Sequence, residues 1–169
     1  MPRRYYRSYK KNYVSNKKKW APIMRDILLT NVTIPNESTN GSFATLVDNS
    51  TESAVPTPTI LKVKHLKLSV DIAFDSTVLH NGFVCIVFVP QGITPTAGLP
   101  ILHPEWVMAW RNIPNDVTRT HHNVMLQTSL TRNLNSGDKI YLQFTFYNSS
   151  ATASNISFTG RYSAVVRNN

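Results

Sequence analysis

The chain predicts an all-β domain, an eight-stranded antiparallel jelly roll (β-sandwich), preceded by a disordered basic N-terminal arm. Three observations carry this reading. Apolar and polar residues alternate with period two through several runs, the pattern of strands with one covered face. No segment holds the 3.6-residue repeat of a long helix. Eight of the 18 Lys and Arg residues lie within the first twenty positions, where no acidic residue occurs.

Residues 1–20 form the arm and residues 21–169 the folded domain. Arg3, Arg4, Arg7, Lys10, Lys11, Lys17, Lys18 and Lys19 give the arm +8 of the formal +9, which leaves +1 for the rest of the chain. So dense a charge with so little apolar surface does not fold alone. Tyr5, Tyr6, Tyr9, Tyr13 and Trp20 are interleaved with the cations. Cations follow a phosphate backbone and rings stack on unpaired bases without reading sequence, so the mixture fits single-stranded nucleic acid. The same residues also suit a nuclear-import signal, or aromatics that tuck against the domain. A membrane-surface helix is disfavoured, because no Leu/Ile stripe offers a face to bury.

Beyond Trp20 the strands follow in order. Residues 27–34 and 42–47 are short β-branched runs separated by the Asn/Ser/Gly-rich stretch 35–41. A polar loop with Pro56 and Pro58 spans 48–59. In residues 60–74, Leu66, Leu68, Val70, Ile72 and Phe74 share one parity, and Lys67, Ser69 and Asp71 the other. Lys62 and Lys64 fall on the apolar parity, which predicts a bulge or the end of the sheet near Lys64 and His65. Residues 82–89 are apolar on both parities, hence covered on both faces. The stretch 91–104 holds three prolines and two glycines and reads as a loop. Residues 106–113 read either as a strand or as one helical turn. A strand at 124–130 and a turn at 135–138 lead to residues 139–147, with Ile140, Leu142, Phe144 and Phe146 inward. The last strand, 156–166, sets Ile156, Phe158, Tyr162, Ala164 and Val166 against Ser157, Thr159, Arg161 and Ser163. Loops of such uneven length favour crossing Greek-key connections over a simple meander.

The sequence offers no catalytic or metal-binding constellation, and no cofactor is expected. His65, His80, His103, His121 and His122 lack metal-ligand spacing, and adjacent His121 and His122 would point to opposite faces of a strand. Cys85, the one cysteine, sits in an apolar strand without a neighbouring base and reads as a buried thiol. No disulfide framework is available, which fits a reducing compartment. No apolar stretch is long enough for a membrane span, and no h-region follows the N-terminal charges. Six Asn-x-Ser/Thr sequons, at Asn31, Asn36, Asn40, Asn49, Asn148 and Asn155, read as loop composition. Trp106 and Trp110 are either core or interface anchors. With Ile93 and Leu99 in the apolar loop before them, they are the expected subunit-contact residues.

Several stretches carry a resemblance. Pro2-Arg3-Arg4-Tyr5-Tyr6-Arg7 resembles the start of capsid proteins of circular single-stranded DNA viruses of the circovirus and nanovirus type. Residues 60–68, Ile-Leu-Lys-Val-Lys-His-Leu-Lys-Leu, are similar to the basic strand opening the central part of their jelly roll, and 82–89 to the apolar strand after it. Residues 134–142 and 158–162 resemble the final strand pair. The arm is shorter and less Arg-dominated than in typical circoviruses.

The resemblance implies a coat protein forming a small icosahedral shell, T=1 with 60 copies, around circular single-stranded DNA. The arm would touch the genome from inside and contain the signal read by the host's nuclear-import machinery. Location would be the virion, with host nucleus and cytoplasm during infection. The nucleic-acid-binding residues would be those of the arm with Lys62 and Lys64, joined more weakly by Lys67 and Arg161. Sixty arms would bring about 480 positive charges, so packaging would weaken steeply with salt. Two other readings remain open: the coat protein of a small RNA satellite virus, and a non-viral β domain that binds single-stranded nucleic acid.

Overall fold

The computed structural model describes residues 19–49, 60–75, 80–113 and 120–168. Nine antiparallel strands make up the domain: β1 Ala21–Ile34, β2 Ser38–Asp48, β3 Leu61–Phe74, β4 His80–Val89, β5 Val107–Ile113, β6 His121–Thr128, β7 Arg132–Leu134, β8 Lys139–Asn148 and β9 Ser154–Asn168. One sheet runs β1-β9-β3-β6, with β7 pairing the start of β3; the other runs β2-β8-β4-β5. Chain neighbours therefore cross between sheets at almost every step, the jelly-roll arrangement of two interlocked Greek keys. The fold is an all-β sandwich. Among the described residues, no helix is long and apolar enough to cross a membrane.

The inward parity of β3, β8 and β9 builds the core. Phe144 of β8 stacks on Phe158 of β9 with ring centroids 3.7 Å apart, which joins the two sheets at their centre. Phe146 meets Phe74 edge-on at 5.6 Å. The Tyr162 hydroxyl crosses the sandwich to donate to the Leu46 carbonyl. Burial pushes that phenol above its ordinary value, against the pull of Arg25. Gly160 is required where β9 lies on β3, since a Cβ there would collide with the Ser69 carbonyl oxygen and Val70.

Several boundaries differ from the sequence reading. The first strand begins at Ala21, six residues before position 27, and the second at Ser38; the turn between them is confined to 35–37. Residues 107–113 are a strand, preceded by a 3-10 turn at Pro104–Trp106 and a four-residue helix, α1, at Leu99–Leu102. The three-residue β7 is a ninth strand, too short to show any alternation. The irregularity expected at Lys64 and His65 is present as a register shift between Lys64 and Lys67, with His65 at φ 52°.

The outer face of the β2-β8-β4-β5 sheet is itself largely covered. Residues 90–106 fold back over it, held by Gln143, whose Nε2 donates to the carbonyls of Thr96 (3.2 Å) and Ala97 (3.0 Å). Asp138 ties down the start of this segment by accepting from the Gln91 and Asn135 backbone N–H groups at 3.0 and 2.8 Å. A second core forms underneath from Val87, Val89 and Leu99, with Trp106 and Tyr141 packed on it. Cys85 is fully enclosed, and burial pushes its thiol up to about 12. Its folded pKa lies above its unfolded one. The linked stability is therefore complete below about pH 8.5 and is lost as pH rises toward 12, where only the unfolded thiol ionises. The expected outcome is that iodoacetamide at neutral pH leaves Cys85 unmodified in the native protein and alkylates it in denaturant; rapid native labelling would contradict this placement.

Candidate nucleic-acid interface

The arm joins the domain at one corner of the β1-β9-β3-β6 sheet. Ala21, the first residue of β1, pairs with Val166 of β9, which brings Trp20 over the end of β9. The Trp20 ring lies 4.1 Å from Lys64 Nζ and 4.9 Å from Arg167 Cζ, measured to its centroid. Such cation–π contacts contribute on the order of 0.5–1 kcal/mol each at accessible sites. Lys62 stands directly opposite Arg167 in the β3–β9 register, and Lys64 opposite Val165. Lys19, which precedes Trp20 in the chain, is exposed.

The bulge decides how far this basic surface extends. In an unbroken strand Lys64 and Lys67 would face opposite ways. The extra residue at His65 resets the parity, so Val63 and Leu66 are both buried while Lys62, Lys64 and Lys67 share the outer face. Lys67 pairs with Ser163, two residues along β9 from Val165. Arg161 follows two residues further, its Nε–H donating to Asp26 at 2.7 Å; that bond holds the guanidinium above its ordinary value. Five cations of β3 and β9 thus occupy this face, Lys62, Lys64, Lys67, Arg161 and Arg167, against the carboxylates Asp26 and Asp71. Between the side chains runs a groove of about 580 Å³, walled by Met24, Met125, Lys67, Gln127 and Ser163. Arg111 and Arg161 line it as well.

The opposite sheet carries a different surface. Its ion pair is local, Lys139 with Asp48 at 3.4 Å. Where the 90–106 segment stops short, Trp110 of β5 is 64% exposed beside Ile101 at 77% and Leu102 at 72%. Trp110 and Ile101 border a pocket of about 390 Å³ that Phe83 and Asn112 also line.

Of the residues singled out from sequence, Arg3, Arg4, Tyr5, Tyr6, Arg7, Tyr9, Lys10, Lys11, Lys17 and Lys18 lie outside the described residues. Lys62 and Lys64 lie at the arm's root with Arg167 and Trp20, and Lys19 is exposed. Among the four apolar contact candidates, Trp110 and Ile93 are exposed, whereas Leu99 fills the second core and Trp106 stacks on His103 at 3.9 Å. Sequence reasoning missed Arg167. Extending the outward parity of β9 from Arg161 through Ser163 and Val165 would have reached it. Asn49 and Asn148, two of the sequon residues, are buried, and their amides donate to the Leu134 and Ile34 carbonyls. Neither is open to glycosylation in the folded chain. Among the described residues no group of three or more His, Cys, Asp or Glu is placed to hold a metal ion.

No family model and no curated protein matches the sequence. Among solved structures, the chain is similar to one from Desmodium yellow mottle tymovirus, at 15% identity over 90% of both chains and a TM-score of 0.43. It is also similar to a chain in the structure of infectious bursal disease virus Gx strain, at 10% identity and a TM-score of 0.39, covering 88% of this chain and 36% of that one.

Proposed function

We propose that this chain is a viral coat protein whose jelly roll assembles with copies of itself into a closed icosahedral shell of about 60 subunits and packages single-stranded circular DNA through its basic arm. The observation that supports it best is the segregation of the two faces. The arm's root and five cations occupy the outer side of one sheet, while the other sheet carries an apolar covering with exposed Trp110, Ile101 and Leu102. A subunit of this kind can hold nucleic acid on one side and meet neighbouring subunits through apolar contacts at its periphery. Trp110 on edge strand β5, together with Ile93, is proposed to anchor such contacts, since buried aromatics dominate interface energetics. The role is structural and not enzymatic. The arm doubles as the nuclear-import signal, so the protein passes between host cytoplasm and nucleus before residing in the virion.

The test is size-exclusion chromatography of the purified chain, with electron microscopy and the A260/A280 ratio of the leading peak. Uniform closed particles rich in nucleic acid are expected, and digestion by a DNase but not a ribonuclease would favour DNA over the RNA-satellite reading. A folded 19.1 kDa monomer that binds oligonucleotides yet never assembles at any salt or pH would sink the coat-protein reading in favour of a binding module.

A further inference from the structure

Lys62 and Arg167 are set directly across from each other in the β3–β9 ladder. Opposed residues of an antiparallel pair bring their Cβ atoms to about 4.5–5.5 Å, where like charges repel. Both side chains are only partly exposed, so water screens them incompletely. Lys64, two residues along the same face, adds a third positive charge. Among the described residues none of the three forms an ion pair with a carboxylate, although Arg161 and Lys139 on the same domain each have one. The Arg167 Nε–H is moreover buried without a hydrogen-bond partner. A sheet selected only for stability would not oppose two cations and leave a guanidinium donor unmatched.

An anion reverses this balance. Oxygen atoms placed between Lys62 and Arg167 accept charge-assisted hydrogen bonds from both, and the guanidinium fork matches the two free oxygens of a phosphodiester. Trp20, already packed on Lys64 and Arg167, closes one side and adds a ring beside which a base can stack. The occupant is specified by what converges here. Residues 1–18 carry seven cations and enter the domain at this corner, and Lys67 continues the positive track into the groove between Met24 and Met125. We propose that Lys62, Lys64 and Arg167, braced by Trp20, form a fixed site on the folded domain for one backbone phosphate of single-stranded nucleic acid. The proposal rests on the nucleic-acid reading above and assigns it a defined anchor besides the arm.

The experiment uses the full-length chain, a fluorescent oligothymidylate and anisotropy titrations over a range of salt, with three variants: Lys62→Gln, Lys62→Gln/Arg167→Gln, and Lys139→Gln as a control that removes one charge, as Lys62→Gln does, from the opposite sheet. Loss of one single-strand phosphate contact is expected to flatten the slope of log K against log[salt] by about 0.7 in the double variant. Lys139→Gln should leave the slope unchanged. Melting provides a second readout. Without nucleic acid the double variant should melt above the parent chain, because the opposed charges are gone; oligothymidylate should then raise the parent's melting temperature more than the variant's. Equal slopes and equal ligand-induced shifts in all chains would overturn the site. If those same preparations still form particles by electron microscopy, the site alone fails; if the parent chain binds no oligothymidylate, the nucleic-acid reading fails with it.

Discussion

A chain lacking residues 1–19 is expected to lose nearly all of its salt-sensitive affinity for single-stranded nucleic acid. The deletion removes all eight cations of the arm and leaves Trp20 and the folded domain in place. Each phosphate neutralised on a single strand contributes about 0.7 to the slope of log K against log[salt], so eight contacts give a slope near −6. Raising salt from about 50 to about 200 mM should then weaken the full chain roughly a thousandfold or more. The truncated chain should show only the shallow slope of a small fixed site. In assembled material the same deletion should give shells with a low A260/A280 ratio. The measurement is the pair of salt titrations; parallel lines for the two proteins would show that the arm is not the principal contact.

Phe158→Ala should produce the largest loss of stability among single substitutions in the described core. Phe158 is fully buried and stacked on Phe144, with Phe146 on its other flank at 6.1 Å. It belongs to β9, the strand between β1 and β3, while both partners belong to β8 of the opposing sheet. Truncation empties the space between sheets at the one place where neither backbone can close up, since each is fixed by ladders on both sides. Phe-to-Ala changes in such sites cost about 3–5 kcal/mol. That is a large share of the roughly 5–15 kcal/mol by which domains are stable, and corresponds to a fall of about 10 °C in melting temperature at this chain length. Leu28→Ala is the contrasting case. Leu28 is 68% exposed on the outer face of β1, and its truncation should change the unfolding free energy by about 0.5 kcal/mol or less. Urea melts of both variants decide the matter; equal midpoints would mean that the inter-sheet aromatic stack contributes little.

Much of the architecture was legible because period-two alternation is a direct consequence of one-sided burial. Residues 139–147 and 156–166 alternate in apolar character, and Ile140, Leu142, Phe144, Phe146, Ile156, Phe158, Tyr162 and Ala164 are buried, although the segment over β8 buries its outward Gln143 and Thr145 as well. The bulge near His65 was legible for the same reason, since an unbroken strand would put Lys62 and Lys64 on the apolar parity of Leu66 to Phe74. Where alternation fails, so did the reading. The start of β1 was hidden because Met24 and Leu28 point outward while Arg25 lies at the rim, which scrambles the apolar pattern. From sequence the covering segment reads as a free apolar loop with Leu99 available to a neighbour. Its docking depends on Gln143 donating to carbonyls 46 and 47 residues away, and long-range backbone acceptors leave no trace in local composition. The basic corner was half visible. Lys62 and Lys64 stood out by parity, but Arg167 acquires meaning only through a register that joins β3 to β9.

That register also governs when the molecule can exist. β9 follows the other eight described strands in the chain, yet it occupies the interior of its sheet, between the first strand and the third. Ala21 finds its partner, Val166, only after nearly the entire domain has left the ribosome. Until then β1 has no neighbour in its own sheet and β3 lacks one side. Closure of such long-range pairs is slow relative to local structure and cannot proceed by stepwise addition behind the growing chain. Lys62 and Arg167, which face each other across β3 and β9, therefore meet only once the ninth strand has been made. A chain interrupted before β9 would leave β1 unpaired and β3 open along one side, so both the sheet and its basic corner form only with the ninth strand.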